Sequence, residues 1–498
     1  MDAPFKSKAL FSFDNSFVRL PERFFARLEP TRVASPQLIR FNRQLAYELG
    51  LDLQGCDRAD LAQIFSGNEV PAGAQPLAMA YGGHQFGGWS GQLGDGRAIL
   101  LGEVIAKDGV RYDVQLKGSG PTPYSRNGDG RAALGPVLRE YILSEAMHSL
   151  GIKTTRALAA VLSGERVRRE EALPGAIFTR VARSHIRVGT FEYFAHKKDY
   201  DGVQILADYV IARCYPDAAR ADNPYLALLE AVVKAQAELV ASWLQIGFIH
   251  GVMNTDNCSI SGETIDYGPC AFMDQYAVDT VYSSIDHMGR YAYGNQRPIA
   301  QWNLAQLAQS LLQFLGEDET QAINAAQQAI RSFLPLIDGL WLSGMRKKLG
   351  LSEAREGDKA LIDELLDLME QNSADFTQTF RALSELSGIQ GEADQAFGEL
   401  FRFPASVDDW LAQWRMRLAD EASMDEVRIK QMKATNPAFI PRNHLVEEVI
   451  QAAHEGDLNP FERLNEVLAR PFDDQPDATR FTQPPKPEEV VQATFCGT

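Results

Sequence analysis

The most constraining stretch of the chain is residues 248–268, Phe-Ile-His-Gly-Val-Met-Asn-Thr-Asp-Asn-Cys-Ser-Ile-Ser-Gly-Glu-Thr-Ile-Asp-Tyr-Gly. Two oxygen donors, Asn257 and Asp266, stand nine positions apart. The residues between them read as a small hairpin turning at Ser261-Gly262-Glu263, which predicts that the two donors come back together. Mg²⁺ normally takes only one or two protein side chains and completes its shell with phosphate and water. An amide and a carboxylate at the mouth of a hairpin suit that habit. Leu229, Val232, Val233, Val240, Trp243 and Leu244 mark a long helix leading into the stretch.

The spacing from His250 to Asn257, followed by Asp266-Tyr267-Gly268, parallels the protein-kinase signatures H-R-D-L-x-x-x-N and D-F-G. Where a kinase carries its catalytic Asp, this chain has Val252, which cannot accept a proton. The metal-binding half of the machinery is kept and the usual base is gone. Asp256 is the only carboxylate inside the loop. It is the candidate proton acceptor, a loop or capping aspartate being the other reading.

Chemistry on ATP also needs a cation and a close-fitting loop on the phosphates. Lys117 ends Val114-Gln115-Leu116-Lys117, which parallels the V-A-I-K strand of kinases. Glu140 and Glu145 both follow on the next helix, and Glu140 is the expected partner of Lys117. Ser90–Arg97 reads as a flexible glycine loop whose Gly94 and Gly96 let backbone N–H groups approach phosphate, with Arg97 adding charge. A glycine-rich hairpin turn explains the same residues without phosphate. Residues 117–131 form a second glycine loop, and Asp129-Gly130 at its end is a candidate nucleotide contact or a plain turn. Arg180, Arg183 and Arg187 fall within eight residues of an acidic chain, a pattern that fits an anion site as well as a salt-bridged strand.

Size and charge bound the rest. At 498 residues the chain is expected to form two or more lobes. A net charge of −17 argues against a nucleic-acid partner or an anionic membrane, both of which favour a basic face. Residues 1–6 lack the apolar segment of a secretion signal, and no run approaches the ~18 apolar residues of a membrane span, so a cytoplasmic location is expected. Cys56, Cys214, Cys258, Cys270 and Cys496 show no C-x-x-C spacing and no H-E-x-x-H occurs, so neither a disulfide framework nor a zinc site is expected.

Along the chain, Ala98–Ile105 and Arg111–Lys117 flank the turn Lys107-Asp108-Gly109 and read as a β-hairpin. Ala133–Leu150 reads as a helix stopped by Gly151, and Ala176–Arg183 as a strand. Leu304, Leu307, Ala308, Leu311, Leu312 and Leu315 carry helical spacing. The expected organisation is an extension over 1–75 with one amphipathic stretch at Leu38–Leu45, a β-rich lobe over 76–195, and a helical lobe over 196–425. A C-terminal helical extension over 426–498 closes the chain, with a proline- and charge-rich surface arm beyond about 470. The fold class is α+β, in the bilobal order of a protein kinase.

Several segments carry a more specific resemblance. They include Tyr81-Gly82-Gly83-His84-Gln85-Phe86-Gly87, Gln92–Arg97, Gln115–Gly120, Asn127–Ala132, Ser184–Phe191, His250–Asn257, Asp266–Pro269 and Asn436-Pro437 with Arg442-Asn443. With these the chain resembles the selenoprotein O family of protein adenylyltransferases, called YdiU in bacteria, over nearly its whole length. The resemblance implies a kinase-like fold that binds ATP in a flipped orientation. AMP then passes to Ser, Thr or Tyr of protein substrates, self-modification included, and pyrophosphate leaves. It implies that Lys117, paired with Glu140, contacts phosphate; that Gly94, Gly96, Arg97, Asp129 and Gly130 contact nucleotide; and that Arg180 and Arg187 hold the far phosphates. It implies Asn257 and Asp266 as ligands of Mg²⁺ or Mn²⁺ and Asp256 as proton acceptor. Eukaryotic relatives carry selenocysteine near the C-terminus, where this chain has Cys496-Gly497-Thr498; the pairing state of Cys496 stays open. The competing expectations are γ-phosphoryl transfer, UMP transfer with Mn²⁺, and an inactive nucleotide-binding scaffold.

Overall fold

A computed structural model describes residues 10–421 and 424–494. Cys496 lies outside the described residues. The first half of the chain builds a sheet from short strands with long-range pairings. β1 (Phe25–Arg27), β2 (Gln37–Phe41) and β3 (Leu77–Met79) precede a separate two-stranded hairpin, β4 (Gly83–Gln85) and β5 (Gly88–Ser90). β6 (Ala98–Ile105), β7 (Arg111–Lys117), β8 (Ala132–Ala133), β9 (Arg156–Arg168) and β10 (Ala172–Ala182) complete it. The main sheet runs β1-β3-β6-β7-β10-β9-β2, with β8 on β10, and its ladders are antiparallel.

Alternation along the strands sends side chains to two cores. Val114 and Leu116 of β7 and Ile177 of β10 pack with Leu61 and Phe65 of the helix α2 (Arg58–Phe65), which follows the short α1 (Arg43–Glu48). Ala176 and Phe178 pack on the opposite side with Leu138, Tyr141 and Ile142 of α3 (Leu134–Ser149). Gly151 follows α3 with φ +79 and open space around it, the left-handed stop expected there.

Helices then take over: α4 (Val188–His196), α5 (Tyr200–Cys214), α6 (Pro224–Gln245), α7 (Gln296–Leu311) and further helices beyond. Asn223 caps α6 by accepting from the amides of Tyr225 and Leu226. Leu229, Val232, Val233, Val240 and Leu244 of α6 lie in the largest core. No helix of the described residues is long and apolar enough to cross a membrane.

Two expectations need correction. The stretch Leu38–Leu45 is not one amphipathic element. It splits at Asn42, whose side chain caps α1 by accepting from Leu45 N, while β2 pairs with β9. The segment between Asn257 and Asp266 is not a self-paired hairpin. One arm bridges Ser259 to Arg187 and the other bridges Thr264 to Thr154, so the outward backbone groups find partners in other elements. The tail beyond about 470 is largely exposed, the surface arm expected, and it is held to the body of the protein at two points. Ala478 is fully buried, and Thr494 donates through Oγ1 to the Pro269 carbonyl at 2.5 Å and through its amide to the Tyr282 carbonyl at 2.7 Å. Helices Asn443–His454 and Asn459–Leu468 cover α3, with Val446, Val449, Phe461 and Leu464 completing its core.

Candidate active site

Between the sheet and the helices lies a cleft of about 570 Å³. Gly94, Gly96, Arg97, Lys117, Asp129, Gly130, Glu140, Arg180, Arg187, Asp256, Asn257 and Asp266 all line it, together with Val252. Arg183 does not line it; its amide donates to Glu263 Oε2 (3.0 Å) instead. Of the three clustered arginines, two therefore turn to the cleft.

The strands explain the grouping. Gln115 and Lys117 are two residues apart on β7 and share a face, and Arg180 of β10 stands directly across from Gln115. Arg180 Nε donates to Gln115 Oε1 at 2.7 Å, and Gln115 Nε2 donates to Asp95 Oδ2 at 3.0 Å. Lys117 Nζ lies 2.6 Å from Glu140 Oε2 on α3. Glu145, the alternative partner, is taken by Arg156 (2.8 Å) and Asn42 (2.8 Å).

Asp266 is the centre of the charge arrangement. Lys117 Nζ (3.0 Å) and Arg180 Nη1 (2.7 Å) reach its Oδ1, and Arg187 Nη1 reaches its Oδ2 at 2.7 Å. Burial pushes this carboxyl up, but Lys117, Arg180 and Arg187 outweigh it and hold it well below the usual carboxylate range. Its backbone is left-handed, φ 61, which Asp tolerates better than most side chains. Asp256, at the end of the same loop, lies in the opposite regime. Burial raises it to about 6, against the pull of Arg187. Its Oδ2 accepts from Gln85 Nε2 at 3.1 Å, and its Oδ1 is buried with no hydrogen-bond partner among the described residues. The two carboxylates of one cleft thus have their proton affinities driven apart.

The glycine loop at 90–97 is pinned rather than flexible. Leu93 N and Gly94 N donate to the Tyr81 carbonyl at 2.9 and 3.1 Å, and Asp95 N to the Met79 carbonyl at 2.9 Å. A Cβ on Gly94 would stand 2.3 Å from Tyr124 Cγ, so packing of the two loops already demands this glycine. The loop forms a fixed wall of the cleft. Gln85, Tyr81, Asp95 and Tyr124 were not singled out as site residues from sequence. Gln85 and Tyr81 lie in the Tyr81–Gly87 motif, whose density of glycine and polar residues was the available signal.

The donors fit a hard divalent cation better than a zinc-type ion. Among the described residues no three His, Cys, Asp or Glu side chains converge in a metal-binding group. Asn257 donates through Nδ2 to the Val252 carbonyl (3.1 Å), which leaves its side-chain carbonyl oxygen available to a cation. One amide oxygen and one carboxylate suit Mg²⁺ or Mn²⁺ with phosphate completing the shell. Both oxygens of Asp266 already hold cationic side chains, so metal and phosphate fit together better than metal alone.

A family model described as protein adenylyltransferase SelO matches residues 8–469. The chain is 59% identical over 494 residues to a protein of Rhizobium etli (strain CIAT 652) named protein nucleotidyltransferase YdiU, covering 99% of this chain and 98% of that one. Proteins of the same name from Methylorubrum extorquens and Rhodopseudomonas palustris are 59% identical (98% of this chain, 100% of that one) and 58% identical (98% and 99%).

Proposed function

The chain belongs to the SelO family of protein adenylyltransferases and is a nucleotidyltransferase, and from that premise we propose that it transfers AMP from ATP to Ser, Thr or Tyr hydroxyls of protein substrates. The sheet-rich and helical parts act as the two lobes of a kinase-like fold, with ATP bound in the reverse of the kinase orientation. The acceptor oxygen attacks the α-phosphorus, the α–β phosphoanhydride bond breaks, pyrophosphate leaves, and the hydroxyl proton goes to Asp256.

The observation that carries this reading is the convergence of Lys117, Arg180 and Arg187 on Asp266 within 3.0 Å. A kinase site needs one such lysine; three cations fit a leaving group with the charge of pyrophosphate. Asp266 keeps the cations aligned until phosphate oxygens replace it. Glu140 holds Lys117 throughout. Gly94, Gly96, Arg97, Asp129 and Gly130 form the walls against which the nucleotide lies. Asn257 and Asp266 hold Mg²⁺ or Mn²⁺, which when bound neutralises phosphate charge. Val252 stands where a kinase base would serve the γ-phosphate, and Asp256 serves the α-phosphate instead.

The test uses ATP labelled at the α or the γ position, with Mg²⁺ or Mn²⁺, followed by intact-mass measurement of acceptor protein and of the chain itself. Label from the α position and a mass gain of one nucleotidyl group are expected. Label only from the γ position refutes the reading, and preference for UTP over ATP replaces adenylyl with uridylyl transfer.

A further inference from the structure

The hairpin β4–β5 has no part in the reaction as described, yet it grips the turn that carries Asp256. His84 N donates to Thr255 Oγ1 at 2.7 Å, Phe86 N donates to Asn254 Oδ1 at 3.1 Å, and Gln85 Nε2 donates to Asp256 Oδ2 at 3.1 Å. Three consecutive residues of the hairpin thus hold three consecutive residues of the turn. The approach is close. A Cβ on Gly83 would stand 3.0 Å from both Asp256 Cβ and Thr255 Oγ1.

The hairpin is itself anchored. His84 Nδ1 lies 2.6 Å from Glu192 Oε1 on α4, and the His84 ring packs edge-on against Trp302 of α7 at 5.3 Å. On the other side of the turn, Arg187 Nη1 donates to the Asp256 carbonyl at 2.6 Å. The backbone of Asp256 is therefore clamped from two directions. The torsion that turns its carboxylate is not, because that rotation is broad and two-fold. The contact that fixes it is the amide of Gln85 on Oδ2. Oδ1 is left buried, without a partner among the described residues, on a side chain that lines the cleft.

We propose that Gln85 is a positioning residue: by holding Asp256 Oδ2 it fixes the orientation of the carboxylate that receives the proton of the acceptor hydroxyl. An amide is suited to this task because it donates a hydrogen bond but gives up no proton to the carboxylate. The proposal rests on the reading of Asp256 as proton acceptor.

The experiment measures label transfer from α-labelled ATP to the chain itself and to casein as a probe acceptor, over a range of ATP concentrations. Gln85→Leu and Gln85→Met are compared; both fill the site and neither donates a hydrogen bond to a carboxylate. Both are expected to lower kcat roughly 10- to 100-fold with KM for ATP nearly unchanged, the size of effect that misplacing a catalytic group has. In an Asp256→Asn background, Gln85→Leu is expected to cost nothing further, since the base that Gln85 positions is gone. Wild-type kcat in both single variants overturns the proposal. So does an equal loss in the Asp256→Asn background, which would make the hairpin a mere support. Full activity of Asp256→Asn alone removes Asp256 as acceptor, and is distinguished from the other outcomes because it does not depend on residue 85.

Discussion

Replacing Asp266 by Asn separates the two jobs assigned to it. The substitution keeps the shape of the side chain and suits the left-handed backbone, φ 61, since Asn is among the residues that adopt it most readily. What it removes is the charge that three cations share. Lys117 keeps Glu140 at 2.6 Å, and Arg180 keeps Glu140 at 3.5 Å and Gln115 at 2.7 Å. Arg187 loses its carboxylate contact and retains the Asp256 carbonyl and the Tyr81 ring, 4.6 Å away. Orphaning a buried charge typically costs about 3–5 kcal/mol. With Lys117 and Arg180 still paired, a loss near the lower end, about 3 kcal/mol, is expected and is read from denaturant unfolding without ligand. The same loss should help phosphate. In the wild type, pyrophosphate must displace Asp266 from the three cations; in the variant it need not. Metal-free pyrophosphate, measured by calorimetry in a chelator, is therefore expected to bind about tenfold more tightly, a gain of roughly 1.4 kcal/mol. Metal-dependent transfer should fall by about 10²–10³, the scale of losing a main electrostatic stabiliser. Weaker metal-free pyrophosphate binding in Asp266→Asn would refute the view that this carboxylate stores the cations for phosphate.

Other outcomes follow from particular contacts. Glu140→Gln leaves Lys117 with Asp266 alone and should raise KM for ATP and lower kcat/KM by about 10- to 100-fold in steady-state transfer assays. Gly130→Ala puts a Cβ 2.1 Å from the Gly120 carbonyl carbon at φ +66; destabilisation of about 2 kcal/mol or more, with loss of nucleotide binding, should appear in unfolding and fluorescent-ATP titrations. Lys348 is buried over the Phe380 ring (4.3 Å), and burial lowers it from 10.5 to about 7. Between those values the unfolded chain binds the extra proton, so stability should rise with pH across that window, and the penalty is fully present below it. Lys348→Met should therefore melt higher than wild type at neutral and lower pH, with the advantage fading as pH rises toward the ordinary lysine value.

Much of this was legible locally. Runs of β-formers on either side of the turn Lys107-Asp108-Gly109 marked Ala98–Ile105 and Arg111–Lys117, and helical spacing marked α3, α6 and the second half of α7. The helix ends early at Leu311, because Leu312–Phe314 tightens into a 3₁₀ turn and Leu315 falls beyond it. The signature residues His250, Asn257 and Asp266 were visible because their spacing is short and their side-chain chemistry restrictive. The sequence favoured Glu140 over Glu145, and the fold supplies the reason. Both lie on α3, and Arg156 on β9 together with Asn42 draws Glu145 away.

By itself the sequence determined where the chain can turn, which stretches can bury a face, and which residues are able to bind phosphate, metal or a proton. These are properties of neighbouring residues, set by backbone preference and side-chain chemistry. The tertiary structure decided what meets what. Arg187 reaches across 79 positions to Asp266, Gln85 across 171 to Asp256, and Thr494 across 225 to Pro269. No local pattern encodes such pairings, because they are selected by the shared burial of the elements that carry them. The difference between an Asp256 driven up by burial and an Asp266 held down by three cations arises at that level alone.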